Sequence, residues 1–300
     1  MAKSGASRNV LILHLTVLIW GFTGVLGELI SVSALHLVWY RVLIASIALW
    51  IYFMVYRKNF RVSIPHMLQF LGVGLVVGLH WVFFFHSIKI STVSVTLVSL
   101  SAVTLFTAVL EPLANRKRIE LSDVLVGMMI IFGIYLIFTF EFQYFWGIIF
   151  GLLAALSASV FGICNARMVK ITNPTIITFY EMIGAVIGVS ILLGFTGGFD
   201  AQMWLSQSDL LYLILLGVGC TAIAYVLGVS VMRELSAFTV ALTTNLEPVY
   251  GILLALIIFG QKETMSIGFY AGAVLIMMAV FVYPYLKTRW TAKRLASRVG

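Results

Sequence analysis

Charged residues are scarce in this chain, in which Asp, Glu, Lys and Arg make up 10% of the sequence, whereas a soluble domain carries about 25%. Polar linkers are missing as well, since no stretch rich in Gly, Ser and Pro separates the apolar segments. These two absences exclude a soluble globular protein. Hydrophobic residues make up 62% of the sequence, which is typical of an integral membrane protein.

Cysteine is also rare, because the chain has only Cys164 and Cys220, each inside an apolar segment. The pair provides neither a disulfide framework nor metal-ligand spacing. The sequence contains no phosphate-binding Gly-x-x-x-x-Gly-Lys loop, and its apolar segments hold no His-Glu-x-x-His, Gly-x-Ser-x-Gly or paired aspartates of an intramembrane enzyme. We therefore expect no enzyme, no catalytic residue, no metal and no cofactor.

Apolar segments long enough to cross a bilayer as helices recur along the whole chain. The connections between them are short. The predicted fold is therefore all-α, a polytopic membrane protein with ten transmembrane helices. The predicted spans are Val10–Ile30, Ala34–Tyr56, Met67–Ile88, Val93–Ala114, Leu121–Phe140, Phe145–Ala166, Thr175–Phe195, Leu210–Met232, Ala237–Gly260 and Met265–Leu286.

The net charge of +8 is distributed as in a membrane protein rather than as in a nucleic-acid-binding protein. If the N-terminus is cytoplasmic, sixteen lysines and arginines fall inside and two, Lys89 and Lys262, fall outside. Arg41, the last of the 19 lysines and arginines, lies within a span. Because this asymmetry follows the positive-inside rule, both termini are predicted to be cytoplasmic, in a bacterial-type inner membrane. Lipid headgroups explain the basic residues without nucleic acid.

The two halves of the chain resemble each other. A constant offset aligns Ser91 with Ser236 and Gly127 with Gly272. Each half holds five predicted spans, and this odd number makes the second half enter the membrane from the opposite side. The prediction is two inverted five-helix repeats, residues 1–141 and 142–300, the second with a short basic cytoplasmic tail. Such repeats build a site near the membrane midplane at their interface.

Glycines recur at the spacing of helix contacts, for example Gly74 with Gly78 and Gly184 with Gly188. Small residues at this spacing let two helix backbones approach closely in lipid. We therefore expect these glycines to serve packing rather than chemistry.

Glu247 and Pro248 interrupt the ninth predicted span near mid-membrane. A charge at that depth costs about 2.5 to 3.5 kcal/mol on insertion scales, so Glu247 is expected to face a protein interior or a wet cavity. Pro248 removes a backbone donor and clashes with the carbonyl of Thr244, which predicts a helix kink. The alternative is a structural role, with a neutral Glu247 hydrogen-bonded between helices.

Other polar and aromatic side chains also fall deep inside predicted spans. Arg41 and Glu181 lie at matching depths in the two halves, which predicts a pair of gating or structural charges. Buried amides need hydrogen-bond partners from neighbouring helices or from a ligand. The alternative for Arg41 is snorkelling or a salt bridge, for Trp20 and Trp81 a place in the packed core, and for His80 a core position bonded to a neighbouring carbonyl. The predicted substrate-binding set is Trp20, His80, Trp81, Asn165, Tyr225, Asn245 and Glu247.

Several of these residues resemble one known family. Trp20-Gly21-Phe22, Arg41 early in the second span, and Leu246-Glu247-Pro248-Val249-Tyr250 followed by Gly260 and an acid resemble the EamA-type branch of the drug/metabolite transporter superfamily. The resemblance covers nearly the whole chain. It implies a ten-helix inverted-repeat carrier that exports amino acids or other small metabolites. Its cavity would be lined mainly by helices 1, 3, 4, 6, 8 and 9, with helices 5 and 10 at the periphery.

The chain departs from this family at two positions. Val103 stands where the first half of the family usually has a proline, so the fourth helix is expected to be straighter than the ninth. The acid after Gly260 is displaced to Glu263, so the resemblance assigns it no role.

The predicted function is a secondary transporter that exports amino acids or related small metabolites by alternating access. Aromatic walls would give apolar contact, while Asn245 and Glu247 orient an ammonium group. Burial disfavours a charged carboxylate, so Glu247 would allow proton coupling. A lipid or lipid-precursor carrier and a channel are the alternatives, because both can use the same cavity. The expected partners are a small solute, the bilayer and a coupled proton, and the oligomeric state is left open.

Overall fold

The protein is a bundle of α-helices. The computed structural model describes residues 2–117, 121–279 and 281, and every regular element in these ranges is a helix. The all-α prediction is therefore confirmed. The predicted end of the tenth span at Leu286 and the basic tail after it lie outside the described residues.

The helices follow one another with short connections. They are α1 (Ala2–Leu29), α2 (Ala34–Val55), α3 (Ile64–Ile90), α4 (Val93–Ala114), α5 (Leu121–Phe140), α6 (Phe145–Met168), α7 (Pro174–Thr196), α8 (Gln207–Val231), α9 (Ala237–Glu263) and α10 (Ile267–Ala279). Eight of them, α1 to α4 and α6 to α9, are long and apolar enough to cross a membrane. In the described residues α5 and α10 give shorter apolar helices, so the count of ten spans stays a prediction.

Polar side chains fix where several helices begin. In each case a side-chain oxygen accepts a hydrogen bond from a backbone N–H two or three residues further on, which satisfies a donor that the helix leaves free. The capping residues are Ser33 before α2, Thr92 before α4, Asn173 before α7, Ser206 before α8 and Ser236 before α9. Caps of this kind explain why connections of a few residues suffice.

Three helices begin three or more residues before the starts predicted from hydropathy. Helix α1 begins at Ala2 rather than Val10, α3 at Ile64 rather than Met67, and α8 at Gln207 rather than Leu210. Proline fits the first turn of α3 because its missing N–H has no partner there in any helix. Hydropathy therefore marks where an apolar stretch begins and not where the helix does.

Helices α4 and α9 are both interrupted. A turn at 101–102 divides α4 into Val93–Leu100 and Val103–Ala114, and α9 is divided at Asn245, three residues before Pro248. The expectation that α4 is straighter than α9 is therefore wrong. The Ser99 hydroxyl donates to the carbonyl four residues earlier at 2.8 Å, and such back-bonding bends helices without a proline.

The two halves pack into one bundle. Helix α3 lies along α6 and α7, α1 along α8 and α9, and α4 along α6 and α9, so the principal helix contacts cross between the halves. The backbones of α3 and α7 approach each other closely. A Cβ atom built on Gly74 would lie 2.2 Å from the carbonyl oxygen of Glu181, and one on Gly184 would lie 2.2 Å from that of Leu71. Glycine is required at this crossing because two backbones are in contact there.

The halves also cap each other's helices. Glu263, which is buried, accepts hydrogen bonds from the N–H groups of Val93 at 3.0 Å and Ser94 at 2.9 Å, at the start of α4. Glu111 accepts a hydrogen bond from the N–H of Phe238 at 2.9 Å, at the start of α9. A carboxylate at a helix N-terminus is stabilised by the free N–H groups and by the helix dipole. The displaced acid after Gly260 is therefore a helix cap.

Replacing Glu263 with glutamine is expected to lower the thermal unfolding midpoint of the purified protein. A neutral amide offers one acceptor oxygen instead of two and no charge, so we expect a loss of about 1 to 2 kcal/mol. Glu234→Gln is the control, because Glu234 is exposed. Equal midpoints for Glu263→Gln and wild type would show that the cap does not stabilise the bundle.

Candidate functional site

A cavity lies between the two halves. It encloses about 800 Å³, its open mouth included. Within the described part of the chain its wall comes from α1, α2, α3, α4, α6, α8 and α9. Six of these seven helices are those that the family resemblance implies. The seventh, α2, contributes Arg41 to the wall.

The structure separates the predicted site residues into two groups. One group lies on the cavity wall and comprises Trp20, Arg41, His80, Trp81, Tyr225 and Glu247. The other is buried but outside the wall and comprises Asn165, Glu181, Asn245 and Pro248.

Aromatic rings form much of the wall. Trp81 meets Tyr225 edge-on with ring centroids 5.9 Å apart, and Phe161 lies 6.0 Å from Tyr225 and 5.3 Å from His80. Phe161 is not among the site residues predicted from the sequence. The repeat could have identified it, because Phe161-Gly162 in the second half corresponds to Trp20-Gly21 in the first half, and Trp20 was a predicted site residue.

His80 is fixed by its backbone contact. Its Nδ1 lies 2.8 Å from the carbonyl oxygen of Ala154 in α6. Since a carbonyl oxygen only accepts, Nδ1 carries the proton, and Nε2 is the ring nitrogen left for other partners.

Arg41 brings a buried cation to the wall, with 1% of its side chain exposed. The guanidinium carbon lies 4.1 Å from the centre of the Trp81 ring, a cation–π contact. Its Nε donates to the Thr221 hydroxyl at 2.6 Å. Thr221 was not predicted from the sequence, because one threonine in an apolar span gives no signal of its own.

Thr221 lies in the only stretch of π-helix among the described residues, Leu215–Ile223 within α8. Its hydroxyl donates to the carbonyl of Leu216, five residues earlier, at 2.7 Å while it accepts from Arg41. A π-helical segment is rare and occurs frequently at functional sites. Here it places the hydroxyl that orients the guanidinium.

Glu247 brings a carboxylate to the same wall, in the first turn of the second segment of α9. Its side chain is 5% exposed, and no described residue forms a hydrogen bond with its carboxylate. Glu247 and Arg41 attract each other but form no ion pair; the one ion pair in the described ranges joins Lys262 to Glu28.

Asn165, Glu181 and Tyr225 form a buried cluster behind the wall. The Asn165 amide donates to the Tyr225 hydroxyl at 2.9 Å and lies 3.5 Å from a carboxylate oxygen of Glu181. Arg41 and Glu181 do not pair with each other, since Arg41 contacts Thr221 instead. The cluster reaches the cavity only through Tyr225.

Asn245 lies at the interruption of α9 and faces α4. Its amide donates to the Thr104 hydroxyl and, at 3.1 Å, to the carbonyl of Ala241. The side chain therefore ties the two interrupted helices together. In this structure its amide nitrogen is directed to protein partners rather than to the cavity.

Long apolar helices, packed across two halves around a central cavity with buried charges, define an integral multi-pass membrane protein with an internal cavity. The sequence model of the EamA-like transporter family matches this chain twice, at residues 7–139 and 145–283. The chain therefore belongs to the EamA-like transporter family, and its two-repeat architecture is that of the family. The family is one of transporters, not of enzymes.

Two further comparisons bear on the chain. A solved structure described only as "Crystal structure of protein" is similar with a TM-score of 0.69 at 17% sequence identity, covering 93% of this chain and 98% of the other. At that identity the likeness shows the fold alone. No curated protein matches the chain.

Proposed function

We propose that the protein is a secondary transporter that carries amino acids or related small metabolites through the cavity by alternating access. The observation that supports this most directly is the placement of Glu247, a buried carboxylate with no hydrogen-bond partner among the described residues, on the wall of an aromatic-lined cavity between the halves. Such a wall suits a solute with an apolar body and an ammonium group.

The proposed architecture is ten spans in two inverted repeats, residues 1–141 and 142–300, in a bacterial-type inner membrane. Both termini are cytoplasmic in this proposal, because the basic residues then lie on the inner side. The proposed direction is export, as the family resemblance implies.

Contacts at the two ends of the bundle fit one state of an alternating cycle. At the end that carries the α1–α2 connection, Lys262 pairs with Glu28, and Asp209 accepts a hydrogen bond from the Ser31 N–H at 2.7 Å. The cavity instead reaches the α8–α9 connection, where Met232 lines it. Transport would require the first set of contacts to break while the α8–α9 end closes.

Counterflow in proteoliposomes tests this function. Vesicles with purified protein are loaded with a pool of amino acids and small metabolites, and labelled compounds are offered outside one at a time. We expect saturable accumulation of one class of small zwitterions, because exchange by a carrier needs a bound solute on each side. Protein-free vesicles are the control.

Other outcomes point to the remaining functions. Flux that does not saturate would favour a channel. Headgroup-dependent movement of labelled lipid, without exchange of any pool member, would favour a lipid or lipid-precursor carrier.

A further inference from the structure

We propose that Arg41 binds the carboxylate of the transported solute, so that the cavity selects amino acids with an apolar side group. This inference rests on the proposed function. It gives Arg41 a direct binding role in place of the gating or structural role predicted from its depth in the span.

Three side chains lie against the Arg41 guanidinium. The Thr221 hydroxyl accepts a hydrogen bond from Nε at 2.6 Å. The Trp81 ring covers one face of the guanidinium, with its centre 4.1 Å from the guanidinium carbon. Phe85 lies 5.4 Å away. These contacts fix the orientation of the planar group without neutralising its charge.

Neither Nη1 nor Nη2 forms a hydrogen bond with a described residue; Nη1 is enclosed by the protein, and Nη2 is not among the enclosed atoms. No carboxylate of the described residues lies within ion-pair distance of Arg41. A buried cation with no counter-charge within ion-pair distance is costly, and a donor without an acceptor adds to that cost. Because Arg41 is on the cavity wall, an anionic group in the cavity would supply a close counter-charge and an acceptor for Nη2.

The chemistry of the cavity favours a carboxylate that belongs to a zwitterion. The planar donor fork of arginine matches the two oxygens of a carboxylate. Glu247 contributes the opposite charge to the same wall, so a solute with one carboxylate and one ammonium group complements both residues. A dianion such as phosphate would be repelled by Glu247.

The rest of the cavity wall determines which side group the bound amino acid can carry. Beside the two charges it consists largely of apolar and aromatic side chains, among them Trp20, Trp81, Phe84 and Phe161. An apolar side chain would gain contact area there, whereas a second charged group would have no partner of opposite sign among the wall residues named here.

Binding measurements with matched ligand pairs test the role of Arg41. Thermal stabilisation of the purified protein would be titrated with valine, leucine, methionine and phenylalanine, and with the carboxamide of each. We expect wild type to bind at least one free amino acid about tenfold or more tightly than its amide, because the amide lacks the charged acceptor. In Arg41→Gln this preference should fall to about one, while Arg41→Lys should keep part of it.

Two further variants complete the test. Thr221→Val removes the partner of Nε but keeps the shape of the side chain, so we expect a smaller loss of preference even if Arg41→Gln does not fold. Arg61→Gln replaces an exposed arginine and should keep the wild-type preference.

The outcomes separate this inference from the proposed function. An unchanged preference in Arg41→Gln, or an equal loss of acid and amide binding in a folded variant, would overturn the carboxylate contact while the transport function stands. The second result would fit a role for Arg41 in pairing with Glu247 in another conformation. If no zwitterion of the panel binds to or exchanges through the wild type, both the inference and the proposed substrate class fail.

Discussion

Replacing Glu247 with glutamine is expected to reduce counterflow about tenfold or more while the protein stays folded. The carboxylate lines the cavity and bonds to no described residue, so its neutralisation removes a contact to the solute rather than one within the protein. A hydrogen bond to a charged group contributes about 1.5 to 3 kcal/mol, and each 1.4 kcal/mol is about tenfold in affinity. The measurement is the initial exchange rate in proteoliposomes with equal protein incorporation.

Glu234→Gln is the matched control, because it makes the same chemical change at an exposed glutamate and should exchange at the wild-type rate. The Glu247 variant also tests proton coupling. If the Glu247 carboxyl carries the proton, exchange by wild type should depend on pH and exchange by Glu247→Gln should not. Wild-type rates in Glu247→Gln would make the residue a structural acid, and an unchanged pH dependence would contradict coupling through this group.

The helices were largely predictable because lipid leaves the backbone little choice. A chain in hydrocarbon must satisfy its own N–H and carbonyl groups, so an apolar run of spanning length forms a helix. The predicted bounds of the fourth span, Val93–Ala114, coincide with those of α4, and the predicted start of the second span at Ala34 is that of α2. The interruption inside α4 was not predicted, because serine back-bonding depends on rotamers that hydropathy does not report.

The faces of these helices were much harder to predict. A helix that is apolar all round gives no periodic signal for the side that meets the cavity. Asn165 and Asn245 were therefore predicted to bind substrate by virtue of their polarity, and the structure directs both amides to protein partners. Glu263 and Thr221 were missed for a related reason, since each acts on a helix that is distant in sequence.

Two classes of polar group inside the bundle bear on the site. Members of one class bond to a helix of the other half, as in the contact of the Asn245 amide nitrogen with Thr104 and the cap that Glu263 places on α4. These groups hold interrupted helices at fixed positions. The other class faces the cavity and lacks protein partners of opposite charge within ion-pair distance, namely Arg41 and Glu247. The first class fixes the positions of the helices, and these helices hold Arg41 and Glu247 on the cavity wall, where a solute can contact them.

Replacing Gly74 with alanine is expected to destabilise the protein more than any substitution above, by about 3 kcal/mol or more, and to lower the yield of monodisperse protein. A Cβ at this position would lie 2.2 Å from the carbonyl oxygen of Glu181 and 2.8 Å from its Cα. Both atoms belong to the backbone of α7, which cannot turn aside as a side chain can. The measurements are size-exclusion profile and thermal unfolding midpoint in detergent.

Gly72→Ala provides the control on the same helix, since a Cβ at Gly72 has no atom within 4 Å. Alanine favours a helix over glycine by about 1 kcal/mol, so this variant should unfold at the wild-type temperature or above it. Equal midpoints for Gly74→Ala and Gly72→Ala would show that α3 and α7 are not in backbone contact. His80 and Trp81 lie about two turns along α3 from Gly74, so this contact also bears on the cavity wall. A destabilised Gly74→Ala beside a stable Gly72→Ala would therefore tie the placement of the site to a contact between the two halves.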